Sequence, residues 1–374
     1  MAILLGICKG EGRIVQERRL AEFARATDRY ALDGTFVRAQ GRIGMGFQPY
    51  HTHERSNLEA QPAVDEHGNM LTLDGRIDNH AELCQLLNID GEKIADSQIV
   101  LAAFERWGEA CFSMLIGDWS LALWSQANQS LYLARDLAGT RTLYFGITDD
   151  TIYWSTYLES LILGRGLREL NQEFVACYLA GRPIGDLTPY QGINAVTPSH
   201  YFIFRHGKLV RRSNWQWMIT STIRYKTDAE YEEHFRSLFR QSVERRTGPG
   251  AAILAQLSGG MDSSSIVCMS DELRASSNPP GRPIDSISYY DDSEPSWNER
   301  FYFSLVEGAR GRIGIHVDAS LIPQTFQPHD PFSGEYLFPG ADSSSIERER
   351  NFESLDQDHH YRAILSGIGG DELP

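Results

Sequence analysis

The sequence lacks the features that mark several large classes of protein. Its five cysteines are scattered and form no CxxC pair, which argues against the common zinc sites and disulfide scaffolds. No apolar run approaches the ~18 residues that a membrane span needs, and residues 1–7 are too short and lack the charged start of a signal peptide. We therefore expect a cytoplasmic protein with no membrane partner. We also expect buried free thiols at Cys8, Cys84, Cys111, Cys177 and Cys268.

Basic charge is also scarce, because 35 lysines and arginines face 50 acidic residues and the net charge is −15. Proteins that coat nucleic acid usually present a basic face, so we expect no nucleic-acid partner. Hydrophobic residues make up 41% of the chain, which is ordinary for a globular protein with a sizeable core. At ~100–200 residues per domain, 374 residues predict about two domains.

The first ~165 residues read as a mixture of helices and strands. Apolar stripes predict helices over 17–29, 81–87 and 96–107, with Asp96 or Ser97 capping the last. Short apolar runs predict strands over 70–73, 119–124, 130–134, 142–145 and 152–155, the first ending at a turn formed by Asp74 and Gly75. Residues 165–225 then read as a connection with a helix at 172–180 and a hairpin formed by 201–205 and 209–212.

From residue 228 the pattern changes to alternating helices and strands. A long amphipathic helix at 228–246 precedes strand 252–257, helix 264–274, strand 285–290, helix 298–311 and strand 313–317. This alternation predicts a parallel doubly wound sheet. Residues 362–365 read as another buried strand, and the glycine turn after it should feed a further helix. We therefore expect the chain to be a fragment or to stop early.

The most informative segment is LSGGMDSSS, residues 257–265, between a predicted strand and a predicted helix. Its glycines let the backbone come close to a phosphate, and the free N–H groups at the helix start favour an anion. Serine hydroxyls add hydrogen-bond donors, and Asp262 is suited to hold Mg²⁺. The segment has no Gly-Lys-Ser/Thr, so it is not a Walker-type loop. Because open α/β sheets bind ligands at the carboxyl ends of strands, the loops at Ser258 and Ser366 should lie side by side.

This segment resembles the pyrophosphate-binding loop of N-type ATP pyrophosphatases, and the whole chain resembles the asparagine synthetase B family. The strings that carry the resemblance are LSGGMDSSS, SGIGGDEL and GDWSLALWSQANQSLYLARDLAGTRTLYF. The resemblance implies a two-domain α/β fold. An N-terminal Ntn-hydrolase-like αββα sandwich, a glutaminase-like domain over 1–165, would be joined by a connection at 166–225 to an ATP pyrophosphatase (HUP-like) domain with a doubly wound parallel sheet. That second domain would cover 226–374 and be incomplete at its C-terminal end.

The resemblance also assigns roles to individual residues, with ATP and Mg²⁺ as cofactors. Asp371 and Glu372 match the second acidic motif of the family and would be catalytic, the glutamate lying beside the acyl-adenylate. Asp262 and Asp371 would bind magnesium. The residues expected to contact ATP or pyrophosphate are Leu257, Ser258, Gly259, Gly260, Asp262, Ser263, Ser264, Ser288, Tyr289, Ser366 and Gly367.

The sequence departs from the family at the glutamine site. A working glutaminase domain needs cysteine directly after the initiator methionine, and this chain has Ala2. The arginine that would hold the substrate carboxylate falls at Tyr50, with the nearby Arg55 as the alternative position. The Asn-Gly-Glu motif of the family corresponds to Asp74, Gly75 and Arg76, so a cation replaces a carboxylate. We therefore expect this site to be degenerate and the domain to be inactive as a glutaminase.

The resemblance, with these departures from it, implies an AMP-forming, ATP-dependent carbon–nitrogen ligase that condenses an adenylated carboxylate with an amine of its own substrate. The strings GMGFQPYHTHERS and EPSWNER resemble the lasso-peptide macrolactam synthetases, which would make a precursor peptide and its processing protein partners, with a homodimer as the assembly. A small-molecule or peptide substrate with a carboxylate is expected. The alternatives are an asparagine synthase that uses glutamine or free ammonia, a non-catalytic nucleotide-binding remnant, and a tRNA-modifying pyrophosphatase, which the acidic charge disfavours.

Overall fold

The computed structural model describes residues 2–91, 93–165, 169–182, 184–216, 218, 222–248, 253–321 and 361–368. They fall into two compact units, of which the first contains residues 2–51 and 55–218 and the second contains residues 52–54 and the described residues from 222 onward. Each unit has its own sheets and its own hydrophobic core. None of the helices in this described part of the chain combines the length and hydropathy that crossing a bilayer requires.

The first unit contains two six-stranded sheets. Its strands are β1 (Ile3–Cys8), β2 (Phe36–Gln40), β3 (Ile43–Gln48), β4 (Ala63–Val64), β5 (Met70–Ile77), β6 (Gly117–Ser125), β7 (Ser130–Arg135), β8 (Tyr144–Thr148), β9 (Thr151–Ser155), β10 (Asn194–Ala195), β11 (His200–Arg205) and β12 (Lys208–Ser213). One sheet has the order β10-β8-β9-β1-β3-β2 and the other β12-β11-β7-β6-β5-β4. The pairings within both sheets are antiparallel. Three of these strands, β10 to β12, come from the predicted connection.

The two sheets pack face to face with helices on their outer faces, which confirms the αββα sandwich. The helices of this unit are α1 (Glu17–Ala24), α2 (His80–Leu87), α3 (Asp96–Trp107), α4 (Leu158–Arg165) and α5 (Gln172–Leu179). Met45 of one sheet and Trp124 of the other share the core between the sheets. Leu20 and Leu161 bring α1 and α4 onto the outer face of the first sheet, while Leu83 and Ile99 bring α2 and α3 onto the second. This layering buries an apolar stripe of each helix, as amphipathic helices require.

The turn predicted at Asp74 and Gly75 is wrong, because β5 continues through both residues to Ile77. Gly75 adopts a φ of +144° and pairs with Trp119 of β6. A β-carbon at Gly75 would overlap the carbonyl oxygen of Asp118 and approach the Cα of Trp119 at 2.7 Å. The glycine therefore serves close approach between two strands, a role that a turn signal in the sequence does not distinguish.

The second unit contains a parallel sheet with helical crossovers, which confirms the predicted fold class. Its elements are α6 (Asp228–Arg246), β13 (Ile253–Gln256), α7 (Met261–Ala275), β14 (Asp285–Tyr290), α8 (Arg300–Arg310), β15 (Ile315–Asp318) and β16 (Ala363–Leu365). The strand order is β15-β14-β13-β16. The chain thus runs outward from β13 to β15 and returns on the other side of β13. Between β13 and β16 the order reverses, and open sheets bind ligands at such a point.

Two predictions about burial in the chain need correction. Cys8, Cys84 and Cys111 are buried, but Cys177 is half-buried and Cys268 is exposed on α7, because an apolar neighbour in sequence faces the other side of a helix. The thiols that are buried also lose acidity, and burial raises the pKa of Cys8 to about 11. The strand predicted at 362–365 is present as β16, yet its Ile364 is 46% exposed.

Candidate functional site

The predicted phosphate loop lies at the start of a helix, as its sequence indicated. Helix α7 begins at Met261, three residues before the predicted start, so Asp262, Ser263 and Ser264 belong to its first turns. The first N–H groups of any helix have no acceptor within the helix and carry its positive dipole end. Gly259 precedes them with a φ of +86°. A β-carbon there would lie 2.5 Å from the backbone nitrogen of Phe303, so only glycine fits between this loop and α8.

Of the three serines that were predicted as ligands in this loop, two shape the loop itself. The Oγ atoms of Ser258 and Ser263 lie 3.0 Å apart, and the Ser263 Oγ accepts the N–H of Ser258 at 3.2 Å. The N–H of Gly260 in turn donates to Ser258 Oγ at 3.2 Å. The Ser264 Oγ is different, since it is buried and has no hydrogen-bond partner in this structure. A buried, unpaired hydroxyl beside free N–H groups is suited to an anionic ligand.

The second loop lies against the first, which confirms that the strand ends at Ser258 and Ser366 are neighbours. Strands β13 and β16 pair in parallel, with Ala255 opposite Leu365. Beyond them, the Ser366 hydroxyl donates to the Gln256 Oε1 at 2.7 Å. A β-carbon at Gly367 would lie 2.9 Å from the Ser263 nitrogen, so this glycine touches the first turn of α7. The two glycine-containing loops therefore share one end of the sheet.

The residues predicted to contact the nucleoside are placed less directly. The side chain of Leu257 is buried in the core of the unit together with Val267 and Phe303. The Ser288 hydroxyl, also buried, donates to the Leu257 carbonyl oxygen at 2.7 Å. Tyr289 packs in a second apolar cluster of the same sheet. Ser288 therefore fixes the point where the chain leaves β13, and the Leu257 N–H is also engaged, since it donates to the Ile287 carbonyl oxygen at 2.9 Å.

The predicted catalytic pair, Asp371 and Glu372, lies outside the described residues, as does the magnesium role assigned to Asp371. Asp262 is therefore the one predicted metal ligand whose position the structure gives. Its carboxylate stands in the first turn of α7, half-exposed and adjacent to Gly367. A carboxylate beside phosphate-binding N–H groups is the donor set that Mg²⁺ prefers when it bridges protein and triphosphate. The described residues thus fit a magnesium-bound nucleotide.

In the first unit, the predicted glutamine site is filled by internal contacts. Ala2 stands where a nucleophile is needed, and its N–H donates to Asp74 Oδ1 at 3.0 Å. Asp74 is 2% exposed, and its Oδ2 has no hydrogen-bond partner in this structure. Burial raises the pKa of Asp74, while the Arg141 guanidinium opposes that rise. Ala2 thus carries no thiol or hydroxyl, and one oxygen of Asp74 is engaged with the Ala2 N–H.

The cation at Arg76 is likewise engaged, because its Nε lies 3.2 Å from Asp78 Oδ1. Tyr50 lies two residues beyond the end of β3 and is half-buried.

Asp96 was predicted only as a possible helix cap, and the structure gives it another role. Asp96 is not the cap of α3, which is Ala95. Its buried carboxylate instead accepts Arg55 Nε at 2.9 Å and the Ile77 N–H at 2.9 Å.

A carboxylate paired with Arg55 at the end of β5 is not available to an ammonium group of a substrate. The sequence marked Arg55 only as the alternative to Tyr50 and Asp96 only as a possible helix cap. Neither assignment reveals which residue the arginine contacts, because Arg55 and Asp96 are 41 positions apart. The contact depends on how the αββα layers assemble.

Comparison with known families divides the chain in the same way. A model described as "Glutamine amidotransferase domain" matches residues 4–216, and one described as "Asparagine synthase" matches residues 234–374. Among curated proteins, the chain is 23% identical over 340 residues to "Asparagine synthetase [glutamine-hydrolyzing] 1" of Bacillus subtilis, covering 88% of this chain and 51% of that protein.

Two further relatives cover less of the chain. A "Probable asparagine synthetase [glutamine-hydrolyzing]" of Schizosaccharomyces pombe is 29% identical over 213 residues, 55% of this chain and 33% of that protein. "Amidase chyE" of Penicillium rubens is 27% identical over 199 residues, 52% of this chain and 29% of that protein. The chain thus spans about half the length of the Bacillus subtilis relative and about a third or less of the length of the other two.

Proposed function

Because residues 4–216 belong to the glutamine amidotransferase domain family and residues 234–374 match the asparagine synthase model, we propose that this chain is an ATP-dependent amide ligase. In the proposed reaction a substrate carboxylate attacks the α-phosphorus of ATP, pyrophosphate leaves, and an amine then attacks the acyl-adenylate and releases AMP. The observation that carries the proposal is the Ser258–Ser264 loop. It combines free helix N–H groups, an unpaired buried hydroxyl at Ser264 and the Asp262 carboxylate at the point where the strand order reverses.

The residues of the loop would divide the work of binding. The N–H groups at the start of α7 and the Ser264 hydroxyl would hold phosphate oxygens, and Asp262 would hold Mg²⁺. Bound magnesium supplies charge neutralisation for the departing pyrophosphate. The chain itself contributes orientation, since the hydrogen bonds of Ser258 and Ser263 fix the loop before a ligand arrives.

The source of the amine follows from the state of the first unit. Ala2 provides no thiol, and Asp74 and Asp96 are engaged with Ala2, Arg55 and Ile77. We propose that this unit does not hydrolyse glutamine and that the amine is already present in the substrate, as in peptide cyclisation of the lasso type. A precursor peptide that supplies both the carboxylate and the amine is the substrate class proposed.

A second candidate is asparagine synthase activity with free ammonia. The names of the curated relatives favour it, since asparagine synthetases of Bacillus subtilis and Schizosaccharomyces pombe match this chain. It needs the same nucleotide loop and also does not require a working glutamine site. The two candidates therefore differ in the substrates that release pyrophosphate, not in the nucleotide chemistry.

The test is a panel that measures pyrophosphate release from ATP and Mg²⁺ with the longest form of the protein that can be produced. The additions would be aspartate with ammonia, aspartate with glutamine, and peptides carrying an internal Asp or Glu. Release with a peptide alone supports the cyclase proposal. Release with aspartate and ammonia supports the second candidate, and release that depends on glutamine contradicts the inactive first unit. ATP binding without release under any condition would indicate a nucleotide-binding remnant and overturn both.

A further inference from the structure

We propose that Gln256 is a positioning residue that joins the two loops of the nucleotide site across the point where the strand order reverses. The effect expected on turnover rests on the proposed function. The contact between the two loops can be tested without any activity. Gln256 is the last residue of β13 and was not among the residues singled out from the sequence. It is half-buried, directly before the buried Leu257 and the loop that follows.

The backbone pairing between β13 and β16 ends one step before Gln256 and Ser366. The parallel ladder between β13 and β16 ends with Ala255 opposite Leu365, so Gln256 and Ser366 are the next pair in register. No further backbone pairing is recorded between these strands among the described residues. The 2.7 Å bond from Ser366 Oγ to Gln256 Oε1 therefore extends the contact by one step with side chains. Where the strand order reverses, the loops turn to opposite faces of the sheet. The Ser366–Gln256 hydrogen bond therefore joins two loops that would otherwise diverge.

The Ser366 hydroxyl makes two hydrogen bonds, one as a donor and one as an acceptor. Its hydroxyl donates to Gln256 and accepts the N–H of Ile368 at 3.2 Å. This second bond bends the chain just after β16, as serine often does in turns. Gly367, between the two, approaches the Ser263 nitrogen so closely that a β-carbon would lie 2.9 Å away. Fixing Ser366 therefore also fixes the contact of the second loop with the first turn of α7.

The side-chain amide of Gln256 also has a nitrogen with two N–H groups. Only its oxygen is used in the bonds between described side chains, so its two N–H groups are free to donate to a ligand held between the loops. Gln256 thus has one group for the second loop and another for the ligand. We infer that it sets the position of the chain leaving Ser366 relative to the phosphates held at α7.

The structural test uses hydrogen exchange of the full chain. Gln256→Leu keeps the volume and removes the acceptor, and Ser366→Ala removes the donor. Gln256→Leu is expected to raise exchange at residues 366–368 about fivefold, the factor for one ordinary neutral hydrogen bond, and to leave residues 285–290 of β14 unchanged. Ser366→Ala also removes the acceptor of the Ile368 N–H and is expected to raise exchange further, and the double variant should not exceed Ser366→Ala, because that variant already lacks the bond to Gln256. Ser366→Thr, which retains a hydroxyl, should restore the parent rate.

The functional test measures pyrophosphate release by the same variants. We expect kcat to fall about five- to tenfold with the KM for ATP within about twofold, since the first loop remains intact. Gln241→Leu, the same exchange at an exposed position of α6, is the control and should leave both values unchanged. Unchanged exchange at 366–368 in Gln256→Leu, or additive effects in the double variant, would overturn the inference. If the parent chain releases no pyrophosphate, the proposed function fails, and the exchange result still decides the role of Gln256.

Discussion

The two units of this protein hold two polar sites that differ in what their polar groups contact. In the first unit, Ala2 donates to Asp74 Oδ1, and Arg55 and Ile77 occupy both oxygens of Asp96, so that of these four carboxylate oxygens Asp74 Oδ2 alone has no partner. In the second unit, the Ser264 hydroxyl and the first N–H groups of α7 have no partner within the described structure. Whether a polar site can bind a ligand therefore depends less on which residue types it contains than on whether their hydrogen-bond donors and acceptors remain free. A filled site is a structural element, whereas an unfilled one is stable only with water or ligand.

The largest effect that would sharpen this comparison is expected at Asp262. Asp262→Asn keeps the side-chain shape but removes the charge that would hold magnesium, and we expect pyrophosphate release to fall by about 10³-fold. The measurement is the release rate with the substrate identified in the panel, at saturating ATP. Asp228→Asn is the matched control, because Asp228 also lies in the first turn of an exposed helix, α6. Equal activity of both variants would remove Asp262 from the site.

The next effect is expected at Gly259, whose φ is +86° and whose space is limited by α8. Gly259→Ala adds strain and an overlap with Phe303, and should lower the free energy of unfolding of the second unit by about 2–4 kcal/mol. Urea unfolding followed by circular dichroism measures the change. Gly308→Ala is the control in α8, where a β-carbon meets nothing within 4 Å, and should stabilise by up to ~1 kcal/mol. A neutral Gly259→Ala would mean that the loop has room to move away from α8.

A smaller effect is expected at Asp74 and it depends on pH. Burial raises its pKa above the ordinary range, so the folded state keeps a proton that the unfolded state loses, and stability falls as pH rises through the folded pKa. Asp74→Asn retains an acceptor for Ala2 and removes this loss. We expect it to stabilise the first unit by about 1–2 kcal/mol at pH 8 and to have little effect near pH 4. Thermal unfolding across this range would test it, and a destabilised variant at pH 8 would show that Arg141 requires the charge.

The smallest effect is expected from Ala2→Cys, which we predict restores no glutamine hydrolysis. A thiol at position 2 supplies a nucleophile, but Arg76 still pairs with Asp78 and Asp96 with Arg55. The measurement is glutamate formation from glutamine, with the Ala2→Ser variant as the matched control. Measurable hydrolysis would mean that the filled site opens readily, and it would break the contrast between the two units.

The sequence predicted more of the second unit than of the first. Helix 228–246 and strand 285–290 were predicted with the residue bounds that the structure shows. Local periodicity and caps decide such elements, so they can be recognised without tertiary information. In the first unit, β2 and β3 were not predicted, and Gly75 was misread as a turn, because its role depends on a strand more than 40 residues away. The pairs Asp96–Arg55 and Gln256–Ser366 were missed for the same reason.

The position of β1 has a consequence for how the protein is made. It is synthesised before the other strands of its sheet, yet it lies inside that sheet, between β3 and β9. Its partner residues in β9 are Ile152 to Ser155, so one edge of β1 stays open until about 150 further residues have been translated. At 5–20 residues per second this takes roughly 8–30 s. During that interval the segment ILLGIC is an unpaired apolar edge, and chaperone binding during synthesis should concentrate on it.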